Sequence, residues 1–434
     1  MYKLIWAVII FSLIVVYTGC TRNSTGPQSP VLELTAERVE SIEVALALKA
    51  TAGSALGDFE IRRDGIGLFS INAARAETTI VDTTVLPARQ YVYQASRRAG
   101  GTNQTSNMLT VTTMDTTSHN YRWDIQTIGV FQSSLSDVWG SSSADVYAVG
   151  RIGRSDSIDY NAIHFDGQTW TPFYILFTSN PVTIGPPQLF GLYGFSKDDI
   201  WAVGVGGIVA HWDGMKWTTI CLGIGDNCSS LLSRGEQLTA IWGTSSKDLF
   251  AVGDKGVIVH YDGQKWTKME SGTDLTFYDV WGSSSKDVYA VAMDFFSARW
   301  VVVHYDGSLW QPVAVDPTPL NRPGGVWGIA KNNLYIASDF VFRFDGAQWK
   351  RLRVPNTLYN MGGVEGSAAN DIFVVGSFGV VLHWNGAAWR RYDELLKPEG
   401  GRLLRRIWMN ENGQEVFIVG SGQIEGVILH GHKL

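Results

Sequence analysis

Six of the eight histidines occupy one repeated position in this chain of 434 residues. They are His164, His211, His260, His304, His383 and His430. Imidazole nitrogens suit metal binding and acid–base catalysis, but either use requires several such groups to converge on one centre. One histidine per repeat instead distributes the rings around the fold, and Arg343, a poor metal ligand, takes the position in one repeat. We therefore interpret these histidines as partners in a repeated structural hydrogen bond, and predict no metal site and no cofactor.

Carboxylates recur at two further positions of the repeat. One set is Asp166, Asp213, Asp262, Asp306 and Asp345, each followed by glycine; the other is Asp145, Asp199, Asp248, Asp287 and Asp371. Glycoside hydrolysis needs two carboxylates in a single pocket, whereas these lie in separate repeats, and Asn385 stands at the first position in the sixth repeat. We interpret both sets as turn residues. The chain also lacks a nucleophile motif, a glycine-rich phosphate loop and an H-E-x-x-H motif.

These residues belong to a repeated unit whose first phrase occurs seven times; most copies are followed by a second phrase such as HFDGQTW at His164, which holds the histidine and the Asp-Gly pair. DVWGSSSADVYAVG begins at Asp137, and the other copies begin at Gly191, Ala240, Asp279, Gly325, Gly363 and Arg406. Each copy predicts four short strands, A to D, which begin as D-V-W-G, V-Y-A-V-G, G-V-I-V-H-Y and Q-K-W-T. The Asp-Gly pair between strands C and D favours a type I′ hairpin turn. A period of about 40–50 residues without helix signals predicts an all-β fold, a seven-bladed β-propeller over residues 119–434.

The last copy ends after strand C and has no D-G-x-x-W phrase. A lone strand pattern around Trp123, over residues 120–128, precedes the first copy. We predict that this strand pairs with the last blade, because the pairing would close the ring and remove an exposed edge.

The repeat phrase resembles the blades of bacterial lipoprotein propellers, which follow D-V-W-G-x-S-x-x-D-V-[YW]-A-V-G. The second phrase, D-G-x-x-W, is similar to the Asp-box of sialidase-like and photosystem-assembly propellers. The resemblance implies a propeller in an exported protein. It implies no particular activity, because the roles of such lipoproteins are mostly unassigned.

The first 19 residues indicate an export signal. Lys3 precedes an apolar run over residues 4–16, and Tyr17-Thr18-Gly19-Cys20 resembles the lipobox of bacterial lipoproteins. That resemblance implies lipidation of Cys20 and anchoring at the bacterial cell envelope; an ordinary signal peptide or a single anchor helix is the alternative. Thr21 after the cysteine favours the outer membrane or the cell surface over the inner membrane. Residues 20–30 are a polar tether rich in Pro, Gly and Ser.

Residues 31–116 resemble a fibronectin type III domain. The matching pieces are residues 61–65, residues 82–87, and Leu86 with Tyr91, which look like the tyrosine corner of that sandwich. The resemblance implies a β-sandwich that serves as a spacer. With Cys20 assigned to lipid, Cys221 and Cys228 remain, and an even remainder in an exported chain indicates a disulfide.

Function is expected where the copies differ. The A–B and C–D turns are short and uniform, while the B–C and D–A loops vary in length and emerge on one face of a propeller. Glu365 also departs from the pattern, because it takes the position of the strand A aromatics, which we expect to pack between blades. The predicted ligand contacts near the channel mouth and on the loops are Asp137, Asp279, Glu365, Arg405, Arg406, Tyr160, Phe295, Phe296 and Trp300.

Two classes of function remain open. The first is binding of a protein or glycan at the cell envelope by the irregular face, without catalysis. The alternative is a carbohydrate-active enzyme, hydrolase or lyase, at the channel mouth, or an assembly factor in an envelope complex. Clustered carboxylates around Asp137, Asp279 and Glu365 would favour the enzyme, and an apolar or aromatic rim would favour binding. The net charge of −6 gives no reason to expect a nucleic-acid partner.

Overall fold

The computed structural model describes residues 32–434 except 51–54, 156–157, 180–181, 226, 295–296, 298, 316–321, 356–359, 398 and 400. The predicted signal over residues 1–19 and the tether with Cys20 lie outside the described residues, as do Phe295 and Phe296. Within the described ranges, no helix is long and apolar enough to cross a membrane. The chain divides into two compact units. The first comprises Met1–Arg38, Val44–Asp82 and Gln90–Val111, and the second comprises Val39–Glu43, Thr83–Arg89 and Thr112–Leu434.

The first unit is built from two antiparallel sheets. Its strands are β1 (Leu32–Val39), β2 (Val44–Ala50), β3 (Gly57–Arg63), β4 (Ile66–Ala73), β5 (Glu77–Asp82), β6 (Gln90–Ala99), β7 (Thr102–Thr105) and β8 (Leu109–Thr112). One sheet has the order β1-β2-β5, and the other has the order β4-β3-β6-β7 with β8 beside β6. Asp64 and Gly65 join β3 to β4 with φ angles of 52° and 81°. Two positive φ angles are what a type I′ turn requires, so this Asp-Gly pair forms the expected tight hairpin.

The described residues of the second unit form seven four-stranded antiparallel sheets. Strand β9 (Tyr121–Ile128) comes first in the chain. Sheet 1 contains β10 (Val130–Ser142), β11 (Asp145–Gly153), β12 (Tyr160–Phe165) and β13 (Trp170–Phe173); a separate hairpin, β14 (Phe177–Ser179) and β15 (Val182–Gly185), follows it. Sheet 2 contains β16 (Leu189–Ser196), β17 (Asp199–Gly204), β18 (Ile208–Trp212) and β19 (Trp217–Cys221). Sheet 3 contains β20 (Leu238–Ser245), β21 (Asp248–Gly253), β22 (Ile258–Tyr261) and β23 (Trp266–Met269).

The remaining sheets follow the same order along the chain. Sheet 4 contains β24 (Thr276–Ser284), β25 (Asp287–Met293), β26 (Trp300–Tyr305) and β27 (Trp310–Pro312). Sheet 5 contains β28 (Gly325–Ala330), β29 (Asn333–Ala337), β30 (Val341–Phe344) and β31 (Trp349–Arg351). Sheet 6 contains β32 (Met361–Ala368), β33 (Asp371–Gly376), β34 (Val381–Trp384) and β35 (Trp389–Arg391), and sheet 7 contains β36 (Leu403–Met409), β37 (Glu415–Ser421), β38 (Gly426–Lys433) and β9. Short 3₁₀ turns lie at Val205–Gly207, Asp254–Gly256 and Asp393–Leu395.

The seven sheets follow one another in a closed cycle within the second unit. The first strand of each sheet contacts the first strand of the next, and β36 of sheet 7 contacts β10 of sheet 1. Strand β9, from the start of this unit, pairs antiparallel with the carboxyl-terminal strand β38. The buried Tyr121 at the start of β9 donates a hydrogen bond from its hydroxyl to the carbonyl of Gly413. Sheet 7 therefore takes strands from both ends of the unit.

A tryptophan and a glycine pack together across each of five sheet boundaries. The ring of Trp139 covers Gly194 of the next sheet so closely that a Cβ added there would lie 2.7 Å from it. Trp408 covers Gly140 in the same way, with a Cβ at 2.8 Å, and so joins sheet 7 to sheet 1. The other pairs are Trp242 with Gly282, Trp281 with Gly328 and Trp327 with Gly366. In these W-G dipeptides the tryptophan ring therefore packs on the following sheet, and the glycine leaves room for the tryptophan ring of the preceding sheet.

The repeated Asp-Gly turns differ from the predicted type I′ hairpin. Four residues separate β12 from β13, and of Asp166 and Gly167 only the glycine has a positive φ, at 93°. The Asp166 carboxylate accepts hydrogen bonds from the backbone N–H groups of Gln168 and Thr169 at 2.9 and 2.8 Å. These bonds lower the pKa of Asp166. The type I′ prediction was wrong here because the side chain, rather than left-handed backbone at both central residues, closes this longer connection.

Candidate functional site

The two recurring sets of histidine and aspartate pair with each other. In sheet 1, His164 Nε2 lies 2.7 Å from Asp145 Oδ1, and the histidine ring stacks on Tyr147 at 4.3 Å. The second Asp145 oxygen accepts a hydrogen bond from the Ser141 hydroxyl. The same pairs are His211 with Asp199, His260 with Asp248, His304 with Asp287, and His383 with Asp371. A hydrolytic triad has histidine between serine and carboxylate; here the carboxylate is central, so the histidine cannot activate the serine.

Sheet 5 changes both members of this pair together. Arg343 replaces the histidine and Asn333 replaces the aspartate. The Nε group of Arg343 donates a hydrogen bond to Asn333 Oδ1 at 3.1 Å. The side-chain contact between strands β29 and β30 is therefore preserved by a different pair of residues. Such a replacement fits a structural role, which does not require an imidazole or a carboxylate.

Asp137 and Asp279 each connect one sheet to the next. The two oxygens of Asp137 accept N–H groups of Val138 at 2.9 Å and of Leu192, in sheet 2, at 2.8 Å. Asp279 likewise accepts the N–H groups of Val280 and, in sheet 5, Val326, at 3.0 and 2.9 Å. These hydrogen bonds give both carboxylates a structural role between sheets; that Asp137 and Asp279 contact a ligand at the channel mouth stays a prediction.

Arg406 occupies the position in β36 that Asp137 and Asp279 occupy in their own strands. Its Nη2 lies 3.6 Å from Asp279 Oδ1, and its Nε lies 3.9 Å from Asp137 Oδ1. It also donates hydrogen bonds to the backbone carbonyls of Gly362 in the neighbouring sheet 6, of Gly324 directly before sheet 5, and of Tyr278 in sheet 4 across the ring. The other four sheets carry Gly191, Ala240, Gly325 and Gly363 at this position, which leaves room for the long side chain. Arg406 therefore spans the centre of the ring and compensates two buried carboxylates.

Glu365 stands where the other sheets place an aromatic ring, and Met409 stands where the next sheet would offer the covered glycine. Glu365 accepts a hydrogen bond from the backbone N–H of Met409. Burial, and then the charges of Asp137 and Asp279, raise the pKa of Glu365 well above its usual value. Burial also raises the pKa of Asp137 to about 7, in spite of Arg406. The centre of the ring is thus a buried acid cluster that resists full ionisation.

A cavity of about 480 Å³ lies at the mouth of the channel. Seven of its lining residues come directly before the seven repeat phrases, and we call this set the mouth ring. The mouth ring consists of Ser136, Phe190, Thr239, Tyr278, Gly324, Gly362 and Arg405. In six sheets this residue falls at a register shift between the first two strands, which is a β-bulge. A bulge leaves its extra residue unpaired and redirects its side chain. The residues at the seven equivalent positions line one cavity, although their types differ.

The mouth ring contains one positive charge, that of Arg405. Arg405 is exposed to solvent, and no hydrogen bond or ion pair engages its guanidinium among the residues that the structure describes. Partial desolvation within the cavity and the charge of the neighbouring Arg406 lower the pKa of Arg405, although its side chain keeps contact with solvent. Beside it, Phe190, Tyr278 and Met293 give the cavity an apolar wall. Arg406 lines this cavity and also a second one of about 280 Å³, whose lining includes the three acids of the ring centre.

Tyr160 and Trp300, two further predicted contacts, are not among the residues that line this cavity. Tyr160 stacks on Tyr174 with ring centroids 4.4 Å apart, and its hydroxyl accepts a hydrogen bond from Arg154 at 2.6 Å. Trp300 begins β26 and packs against the core between sheets 4 and 5. Sequence reasoning missed Phe190 and Tyr278, although alignment of the seven phrases would have shown that the residue before each phrase varies. Cys221 and Cys228 form a disulfide beside β19.

Comparison with known proteins informs the fold alone. No protein-family description and no curated protein matches this chain. Among solved structures, YCF48 bound to a D1 peptide is similar with a TM-score of 0.54 and 15% identity, over 74% of this chain and 99% of that one. YCF48 from Cyanidioschyzon merolae gives 0.52 and 15%, over 71% and 98% of the two chains, and the WD40 repeats of RRP9 give 0.50 and 9%, over 71% and 97%. The chain therefore has a propeller-like, all-β fold, and a shared fold does not by itself assign a function.

Proposed function

We propose that the second unit is a seven-bladed propeller that binds a segment of a partner protein at the mouth ring. The observation that carries the proposal is the contrast between the repeated and the variable positions. Recurring histidines, aspartates and tryptophans hold the sheets together, whereas the seven mouth-ring positions share one cavity and carry six different residue types. Variable positions on a rigid scaffold are where binding specificity is usually found.

The lining defines the chemistry of the bound segment. A volume of about 480 Å³ lies within the range of ordinary ligand sites. Arg405 offers five N–H donors to a carboxylate, and Phe190, Tyr278 and Met293 lie along the same cavity. We infer a segment with an acidic side chain or a chain-terminal carboxylate next to an apolar residue. The fold neighbour YCF48 bound to a D1 peptide supports a peptide over a glycan.

The carbohydrate-active alternative has less support from the geometry. Three carboxylates do lie around the channel, but Arg406 lies between them and the mouth cavity and lines both spaces. Asp137 and Asp279 each use both oxygens for backbone N–H groups. A catalytic pair must keep oxygens available to the substrate and to a water molecule. The aromatic and apolar wall of the mouth fits binding better.

We propose in addition that the propeller is displayed on the bacterial cell envelope. The supporting features are the lipobox-like sequence that ends at Cys20, the polar tether over residues 20–30, and the two-sheet first unit, which we take as a fibronectin type III-like spacer. The disulfide between Cys221 and Cys228 agrees with an oxidising compartment.

The test is a peptide array probed with the labelled full chain. The array holds peptides with one carboxylate beside one aromatic or aliphatic residue, each with a matched version in which the acid is replaced by its amide. We expect the acidic versions to bind, and Arg405→Ala to weaken that binding by at least about tenfold, because a charge pair in a partly dry cavity is lost. Lys216→Ala, an exposed cation in a C–D turn, is the matched control and should bind as the wild type does. Equal binding by Arg405→Ala, or binding to a glycan array with none to peptides, would refute the proposal.

A further inference from the structure

Sheet 7 carries a second histidine that the other sheets lack. His430 occupies the repeated histidine position, and its partner is Glu415 in place of the usual aspartate. Two residues later, where five other sheets have the Asp-Gly turn aspartate and sheet 6 has Asn385, the chain has His432. Residues two apart on a strand point to the same face, so the two imidazoles of β38 lie side by side, with ring centroids 3.9 Å apart.

The flanking strands bring carboxylates to the same face from both sides. Glu415 of β37 is the register partner of His432, and Asp124 of β9 is the register partner of His430. Directly paired residues of an antiparallel sheet share one face. Two imidazoles and two carboxylates are therefore collected on three adjacent strands, one of which comes from the other end of the second unit.

The distances within this group suit a shared cation. A carboxylate oxygen of Glu415 and one ring nitrogen each of His430 and His432 all lie within 4.8 Å of one another. Glu415 Oε2 is 2.9 Å from His432 Nδ1 and also contacts His430 Nε2. Zn–N and Zn–O bonds of about 2.0–2.2 Å place tetrahedral ligands about 3.4 Å apart. Small side-chain rotations would thus move these ligand atoms far enough apart to coordinate one ion between them.

Asp124 has the position of a supporting carboxylate. Its Oδ2 lies 3.0 Å from His432 Nε2, on the ring edge away from Glu415. Histidine ligands commonly donate their other ring N–H to a carboxylate, which fixes the tautomer and leaves the remaining nitrogen for the metal. The side chains also differ in exposure, from 12% for His430 to 50% for Asp124, which gives an ion a route from solvent.

We propose that Glu415, His430 and His432 bind a divalent transition-metal ion of the zinc type, with Asp124 orienting His432. Two imidazoles and one carboxylate are a ligand set that Zn²⁺ favours, with a fourth position left for water. The ion would join β37 and β38 at the site of ring closure, and Asp124 would extend the link to β9. The inference does not depend on peptide binding, because the site lies outside the lining of the mouth cavity.

The test is Zn²⁺ binding by the full chain after chelator treatment, measured by competition with a chromogenic chelator. A Cys20→Ser background removes the one thiol that the disulfide leaves. We expect one Zn²⁺ per chain, a loss of affinity of more than about 100-fold in His432→Ala, and a loss of about 10–100-fold in Asp124→Asn. His260→Ala is the matched control, because His260 pairs with Asp248 but has Asp262 rather than a histidine two residues on.

A second readout keeps the test decisive if His432→Ala folds poorly. His432→Gln keeps a hydrogen-bonding side chain but is a weak metal ligand, and its fold can be checked by circular dichroism. Zn²⁺ should raise the midpoint of thermal unfolding of the wild type and of His260→Ala, because a ligand that binds only the folded chain stabilises it. Zn²⁺ should leave the midpoint of thermal unfolding of His432→Gln unchanged. Absence of Zn²⁺ binding by the wild type, or equal affinity in the two His432 variants and the wild type, would overturn the proposal.

Discussion

Replacement of Glu365 by glutamine should change how the stability of the second unit depends on pH. Glu365 is half-buried at the centre of the ring, and its pKa is raised well above the usual value by desolvation and by Asp137 and Asp279. In the unfolded chain the same group loses its proton near pH 4.3. Between these two values the folded state holds a proton that the unfolded state has released. The stabilisation that neutral Glu365 contributes is therefore fully present below its unfolded-state pKa. It is lost as the pH rises toward the raised pKa of Glu365 in the folded state.

The size of the effect follows from proton linkage. One group that is protonated only in the folded state lowers the free energy of unfolding by about 1.4 kcal/mol per pH unit. Glutamine does not titrate, and its carbonyl oxygen can still accept the backbone N–H of Met409. Relative to the wild type, Glu365→Gln should gain about 1.4 kcal/mol for each pH unit above pH 5, until the raised pKa of Glu365 is reached. The slope left in the variant should come from Asp137, whose pKa is about 7, and from Asp279, whose pKa is also raised.

Urea unfolding at pH 5, 6 and 7 measures this difference. Tryptophan fluorescence reports the second unit selectively, because every tryptophan except Trp6 lies at or after Trp123. Glu394→Gln is the matched control, since Glu394 is 54% exposed and makes only a surface ion pair at 3.7 Å. Parallel pH profiles for the wild type and Glu365→Gln would refute the account of the buried acid cluster. A Glu394→Gln profile that diverged equally would show that the change is not specific to the ring centre.

Two further substitutions test the architecture of the ring. Arg406→Ala should destabilise the second unit by about 3–5 kcal/mol, because it leaves Asp137 and Asp279 buried without a cation; a loss below 1 kcal/mol in urea unfolding would contradict the assigned role. Gly194→Ala should cost about 1–3 kcal/mol, because the added Cβ would lie 2.7 Å from the ring of Trp139. Trp139→Ala in the Gly194→Ala background should then cost less than Trp139→Ala alone, and equal costs would speak against that packing.

The repeated part of this molecule could be predicted from local sequence patterns. Each phrase supplies strands and turns over a few residues, and the W-G dipeptide recurs because every sheet presents the same faces to its two neighbours. The pairing of His164 with Asp145 could not be predicted in the same way. It depends on the register between β11 and β12, and that register is set by a loop whose length varies from repeat to repeat.

The bulges explain why the mouth was only partly predicted. Asp137 and Arg406 begin their repeat phrases, and alternation along a strand gives no warning of the bulge one residue earlier. That bulge places Ser136 and Arg405 in the mouth cavity and turns Asp137 toward the next sheet. Both Arg405 and Arg406 line the cavity, but Arg406 is already engaged by Asp137, Asp279 and backbone carbonyls, whereas none of the described residues engages the guanidinium of Arg405. Sequence alone shows which positions vary, while the bulge decides which of them faces the cavity.

Some residues that differ from the repeat contact a second residue that also differs from it, and others do not. Glu365 is matched by Met409, and Arg343 is matched by Asn333, so in each case two neighbouring positions changed together and a contact was preserved. Arg405 has no such match, since no carboxylate of the described residues pairs with it. Because Arg405 is exposed to solvent, water can hydrate its charge, and the fold does not require a carboxylate partner for it. Binding of an acidic segment, as proposed for the mouth ring, would give Arg405 a carboxylate partner.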